Sequence, residues 1–305
     1  MKNLFTIFLF LITLGIASAQ DTTSVAIADS AAAKADTTYW LKEISGGLNI
    51  NQASFSGNWT GGGVNSVAFS TNLLMRANYL KDKWSWDNTL DLMYGVVKNE
   101  DEDGRKSNDR IYLDSKVGYK IGKKWNAYLA VNFLSQFAPG YDFDEEPKAL
   151  ISNWLNPGYL TSGVGFEYKP NSEFSLRLSP FSPRITFVTD TTIYRHVEEN
   201  YGVEIGETVR YEWLAWNIQA DWNKKISENL ALTLRYSLYA NLQTIAFETI
   251  DHRLDIALTA KITKAVNVTL TSLTIYDIDQ DEKIQFSQGL ALGIAFKRGN
   301  FPEPK

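Results

Sequence analysis

Apolar and polar residues alternate along nearly all of the chain after residue 40. Residues 125–137 are typical: Trp125, Ala127, Leu129, Val131, Phe133 and Phe137 share one face, and Asn126, Tyr128, Asn132 and Gln136 share the other. A period of two sustained over about ten residues is a strand with one apolar and one polar face. A loop of about twenty residues follows, and loops of that length are functional or disordered. It carries Asp142, Asp144, Glu145 and Glu146, with Pro139 and Pro157 near its ends. Then Leu160, Val164, Phe166 and Tyr168 alternate with Thr161, Gly163, Gly165 and Glu167 until Pro170 stops the run. The unit reads strand, long loop, strand, tight turn.

The same alternation marks residues 44–50, 66–80, 84–96, 111–121, 174–178 (resuming at 185–188), 213–222, 230–238, 254–262, 266–270 and 290–296. The count is about twelve, and bacterial single-chain barrels use even numbers. Tight turns near residues 81–83, 122–124, 170–172, 224–228 and 263–265 alternate with longer connections, every odd-numbered connection being the longer one. Short periplasmic turns and long extracellular loops give that asymmetry. The predicted fold is therefore all-β: a transmembrane antiparallel up-and-down β-barrel of about twelve strands, with both termini periplasmic. Trp84, Trp86, Tyr119, Trp125, Tyr168 and Trp222 sit on apolar faces beside tight turns. Amphipathic rings gather at membrane interfaces, so these six form the predicted periplasmic girdle.

Composition changes the picture at the ends of the chain. Lys2, the apolar run from Leu4 to Ile16, and Ala17-Ser18-Ala19 read as a signal peptide over residues 1–19. Residues 20–39 are rich in Asp, Thr, Ser and Ala and read as a flexible segment, leaving 40–305 for the barrel. Export and a barrel together predict the cell outer membrane, with its lipid as partner. The chain has no Cys, which excludes disulfides and lipid attachment at a cleavage-site Cys. A hydrophobic share of 44% looks soluble, but alternating strands average their signal away. The net charge of -5 argues against nucleic acid as a partner.

Several short motifs occur in order. They are Asn58-Trp59 with glycines at 61–63 and Asn65-Ser66, Gln136-Phe137, Gly140-Tyr141, Ala149-Leu150-Ile151-Ser152, Pro157-Gly158-Tyr159-Leu160, Glu167-Tyr168-Lys169-Pro170 and Leu178-Ser179-Pro180. Together they resemble an uncharacterised Bacteroidota-type outer-membrane β-barrel family known only as a domain of unknown function. The resemblance implies a barrel and an outer-membrane location, and carries over no activity or functional residues.

Candidate chemistry is sparse. His196 and His252 are the two histidines. The residue two after His252 is Leu254, where an outer-membrane phospholipase has its Ser, and His196 lies in a polar loop beside Glu198 and Glu199. The chain is read as no enzyme and as needing no cofactor. Asp277, Asp279 and Asp281 alternate as in an oxygen-ligand calcium loop, but the glycine and distal Glu of an EF-hand are missing, which leaves a weak calcium candidate. Arg76, Asp87, Asp91, Asp114, Lys116, Arg177, Arg235, Arg253, Asp255 and Lys261 fall on the polar faces and would line a lumen. With Tyr79 and Trp84 flanking the tight turn on the apolar face, Arg76 falls opposite Asp87. Small inward residues, Gly163, Gly165, Gly289, Ala291, Gly293 and Ala295, argue for open space. Two functional classes remain: a narrow passive pore for small polar solutes or ions, which these features favour, and a non-conducting barrel acting as a structural or assembly partner.

Overall fold

Side chains that alternate in the sequence alternate across the sheet, the apolar set facing out and the polar set facing in. A computed structural model describes residues 39–56, 64–100, 102–143, 147–193, 199–204 and 206–301. The histidine at 196, the glycines at 61–63, Asn58-Trp59, Asp144, Glu145, Glu146, the signal peptide and residues 20–38 lie outside the described residues. Twelve antiparallel strands form one sheet. They are β1 (Trp40–Ala53), β2 (Ser66–Lys81), β3 (Trp84–Asn99), β4 (Arg105–Lys120), β5 (Trp125–Ser135), β6 (Gly158–Tyr168) and β7 (Phe174–Phe181, resuming as Arg184–Phe187). Then follow β8 (Val209–Glu212, resuming as Ala215–Lys225), β9 (Leu230–Asn241), β10 (Ile250–Lys261), β11 (Val266–Asp277) and β12 (Asp281–Gly299). Strands adjacent in the chain pair with each other, and β1 pairs with β12, so the sheet closes into a barrel.

Two strands are interrupted at the same level. Pro180 and Pro183 lack the N–H that a ladder needs, and β7 breaks at residues 182–183 while β8 breaks beside it at 213–214. Both pieces of β7 still pair with β6, through a register shift between Val164 and Phe166. There β7 crosses so close to β6 that a Cβ on Gly165 would overlap the carbonyl oxygen of Leu178. The glycine marks a contact between backbones, not open space.

Two expectations about connections need correcting. Arg76 pairs with Thr89, and Asp87 with Asn78. The turn holds only residues 82–83, with Asp82 in the left-handed region at φ 54, and Lys81 still pairs with Trp84. Taking Tyr79 and Trp84 as the flanks counts Leu80 and Lys81 into the turn and slides the register by two, which keeps each side chain on its face but exchanges its partner. The second correction concerns the eleventh connection, which is residues 278–280 and shorter than the tenth at 262–265. β11 and β12 run on to Asp277 and Asp281. Outward Ser272, paired with Gln288, ends the apolar run there and hid the continuation.

The outer surface is apolar between two aromatic levels. Leu48, Ile50, Leu113, Leu129, Val164, Leu292 and Ile294 are all exposed on it. Near the tight turns, Trp84 stacks edge-on against Tyr119 at 4.9 Å, and Trp125 lies 5.0 Å from Tyr168. Trp86 and Trp222 are exposed at the same end. Trp40 and Tyr79 join this level, with Trp40 5.3 Å from Tyr79 and 5.8 Å from Trp86. At the other end Tyr211 stacks on Trp213 at 5.5 Å, and Phe137 lies 5.9 Å from Trp154. The sequence pattern missed this second level because its rings sit at loop margins, where alternation has already stopped.

Candidate functional site

The polar faces of the strands converge on the lumen, and their charges are paired. Lys116 on β4, 2% exposed, is held by Glu167 of β6 and by Asp87 of β3 at 3.2 Å. Arg177 of β7 reaches Asp114 of β4 at 3.2 Å. Arg235 of β9 holds Asp221 of β8 at 2.6 Å and lies 5.4 Å from the ring of Tyr112 on β4. Arg110 of β4 binds Asp91 of β3 and reaches Asp255 of β10 at 3.4 Å, where Arg253 joins at 2.8 Å. β4 and β10 are six strands apart around the ring, so this contact joins opposite walls.

A second cluster lies toward the long loops. Arg184 pairs with Asp251 at 2.7 Å and sits 3.3 Å over the ring of Tyr239. Arg210 pairs with Asp279 at 2.9 Å and Glu212 at 3.5 Å. Near the tight turns, Glu43 of β1 holds Arg76 at 2.6 Å and Lys297 at 2.7 Å. Of the ten charges named from sequence, nine enter these pairs. Lys261 closes β10 beside a turn, exposed and without an ion pair among the described residues. Sequence reasoning missed Glu43, Arg110, Glu167, Arg184, Arg210, Glu212, Asp221 and Asp251 as partners. Glu167 and Asp221 do carry the signal, a charge at an inward position of a strand. Glu43 sits one residue before the predicted start of its strand.

Two small cavities lie among these side chains. One cavity of about 30 Å³ lies among Arg210, Glu212, Tyr239 and Asp251, and one of about 10 Å³ beside Tyr128, Arg177 and Ser182. Each is the size of a single water. The inward glycines do not enlarge them: a Cβ on Gly163 would lie 2.9 Å from the Ser179 hydroxyl, and one on Gly293 would overlap the Asn49 amide.

Above the network, two loops pack into a cap. Val188, Ile193 and Val203 are buried against one another with Leu150 and Tyr201 beside them. Asp109 at the top of β4 accepts the N–H groups of Phe137 at 2.7 Å and Ala138 at 2.9 Å. Asn156 accepts the N–H groups of Thr189 at 2.6 Å and Asp190 at 3.1 Å, tying the two loops together. Burial pushes the Tyr201 hydroxyl up to about 12, so it keeps its proton and donates to the Ile151 carbonyl at 2.6 Å. Hydrogen bonds from the Thr192 hydroxyl and the Asn153 amide hold the Asp190 carboxyl below its ordinary value.

The three candidate calcium ligands do not converge. Asp277 accepts the Asp279 N–H and the Gln280 amide, Asp279 pairs with Arg210, and Asp281 accepts the Lys283 N–H. No group of three acidic or histidine side chains is set to hold a metal among the described residues. His252 stands on the outer face, 2.7 Å from the Tyr236 hydroxyl and ring-stacked with it.

A family described as a protein of unknown function, DUF3078, matches residues 50–141. No curated protein matches the chain. Among solved structures, the chain is similar to an outer membrane channel from Pseudomonas putida F1, with TM-score 0.41, 10% identity, and coverage of 90% of this chain and 100% of that one. It is also similar to the translocator domain of the autotransporter NalP from Neisseria meningitidis, with TM-score 0.37, 9% identity, and coverage of 86% and 89%. The NanC porin gives TM-score 0.36 and 10% identity over 86% of this chain and 100% of its own. Likenesses this loose carry no functional argument.

Proposed function

We propose that the chain is an integral outer-membrane barrel whose lumen is held shut by ion pairs, so that it conducts nothing in its resting state. Membrane insertion is supported by the closed sheet, the apolar outer band and the aromatic levels at both margins. In lipid every backbone group must be paired within the protein, and closed barrels achieve this. The observation that carries the closed reading is Arg110, which ties Asp91 on one wall to Asp255 on the other. A passive pore keeps its inward charges in water, where they set selectivity. Here the charges meet one another instead.

Planar-bilayer conductance tests the reading, using protein whose gel mobility changes on boiling and which is therefore a folded barrel. The wild type is expected to be silent. Arg110→Ser frees Asp91, leaves Asp255 on Arg253 and breaks the tie between the walls, and should give discrete steps that prefer cations. Regular steps from the wild type, with selectivity moved toward anions by Asp87→Asn and Asp91→Asn, would overturn the closed state in favour of a narrow pore.

A further inference from the structure

The seam between β1 and β12 is complete only in its lower part. Paired residues run from Glu43 with Gly299 to Ile50 with Leu292. There the Asn51 side chain donates to the Leu290 carbonyl at 2.7 Å, taking the place of the next backbone rung. β1 then leaves with β2, its last residues Asn51, Gln52 and Ala53 pairing with Ala68, Val67 and Ser66. Among the described residues no strand pairs with β12 on that side from Leu290 up to Asp281, and β11 supports it on the other.

The direction of the unpaired groups follows from the alternation of a strand. Ala295 donates to Ala265 on the β11 side, while Asn300 donates to Lys42 on the β1 side. Even-numbered residues of β12 therefore aim their N–H and C=O at the open edge, which leaves those of Phe286 and Gln288 bare, and Ile284 continues the row. The outward side chains of this row are mixed. Phe286 is 64% exposed and Ile284 68%, yet Gln288 and its partner Ser272 interrupt the apolar band. The hairpin thus rises above the band on the side of the long loops, into water.

We infer that this edge is a docking site for an extended segment of a partner protein, added as a thirteenth strand beside β12 on the cell-surface side. The inference goes beyond the closed-lumen reading and rests on the membrane orientation alone. Bare donors and acceptors at two-residue spacing are matched by polypeptide backbone, which is how strand addition gains affinity. Side chains of the incoming strand next to Ile284 and Phe286 should be apolar. Near the tip, exposed Asp281 and Glu282 face a single Lys283, so the segment should carry a basic residue at that end. A second copy is the wrong occupant. Two barrels inserted the same way up present edges running in the same direction, each tilted roughly 35–45°, which cross instead of pairing.

The test uses the purified barrel and a synthetic peptide of alternating Val and Thr with a Lys at one end, against the same peptide N-methylated on alternate residues. With the plain peptide, amide exchange at Phe286 and Gln288 should slow roughly tenfold or more, and with the methylated one it should not change. Phe286→Pro deletes a donor aimed at the open edge and no rung to β11. It should keep the boiling-dependent gel shift and lose the protection, which is then read at Gln288. Unchanged exchange with the plain peptide, or equal protection in Phe286→Pro, overturns the inference. So does a disulfide-linked species of twice the barrel's mass from Gln288→Cys in intact membranes, because that would assign the edge to a second copy. A barrel that shows no gel shift would indict the membrane reading instead.

Discussion

The arc from β4 to β8 and the arc from β11 to β1 are built on the same alternation but to opposite specifications. Along the first, inward positions carry Lys116, Glu167, Arg177 and Asp221, and two loops close over the top around Val188, Ile193 and Val203. Along the second, the middle inward positions are short and uncharged, Asn267, Thr269, Thr271, Gly289, Ala291, Gly293, Gly47 and Asn49, and the pair of Glu43 with Lys297 lies below them near the tight turns. The charged arc fills the lumen with ion pairs that do the work of a core. The other is a bare sheet that ends in an unpaired edge. A barrel whose apolar side chains face outward needs no apolar core, so its interior is free to be polar, and the two arcs use that freedom differently.

The largest test of the contrast removes one cation from each arc. Lys116→Met strands Asp87 and leaves Glu167 with Asn126 and a more distant Arg177 in the filled half, and breaking a buried pair costs about 3–5 kcal/mol. Lys297→Met removes a side chain that is 64% exposed and leaves Arg76 on Glu43. Its loss should stay under about 1 kcal/mol, as for other exposed pairs. Urea unfolding of the barrel in lipid measures both, and equal losses would erase the distinction.

A smaller effect separates cap from barrel. Ile193 is 1% exposed, and Ile193→Ala should cost about 2–4 kcal/mol of local order through its cavity. Because the cap is a separate small core, proteolysis within residues 136–157 and 188–208 should quicken while the gel shift on boiling stays. Loss of the gel shift would mean that cap and barrel unfold together.

The smallest effect is a pH dependence of the same cap. The Asp190 carboxyl titrates below its ordinary value of 3.8 because Thr192 and Asn153 donate to it. Its stabilisation is therefore present above that value and is lost as the pH falls through the lower, folded one. Acid should raise proteolysis of the cap, by under about 1 kcal/mol given its partial exposure, and Asp190→Asn should abolish the acid response. An unchanged response would assign it to another carboxylate.

Strand number and facing were legible because alternation is local and the lipid face demands it. Register was less so: two residues, Leu80 and Lys81, assigned to the turn at 82–83 moved Arg76 from Thr89 to Asp87. Partners across the lumen were not legible at all. Arg110 and Asp255 are 145 residues apart, and nothing near either says that β4 will face β10. The upper hairpin was hidden for the converse reason. Ser272 and Gln288 stand above the apolar band, where alternation is no longer required.

The partial seam also sets an order of events in folding. Most other joins in the barrel link strands separated by a turn or a loop, whereas the last brings Glu43 to Gly299 from opposite ends of the sheet. Joining such distant segments carries the largest loop-closure entropy, and pairings of that kind form late. Asn300 supplies the first grip: its side chain accepts the Lys42 N–H at 2.6 Å and donates to the Trp40 carbonyl at 3.0 Å. From that clasp the two edges zip upward and stop at Asn51. Closure is therefore complete while the upper part of β12 is still bare, and the barrel can finish folding before anything arrives to cover it.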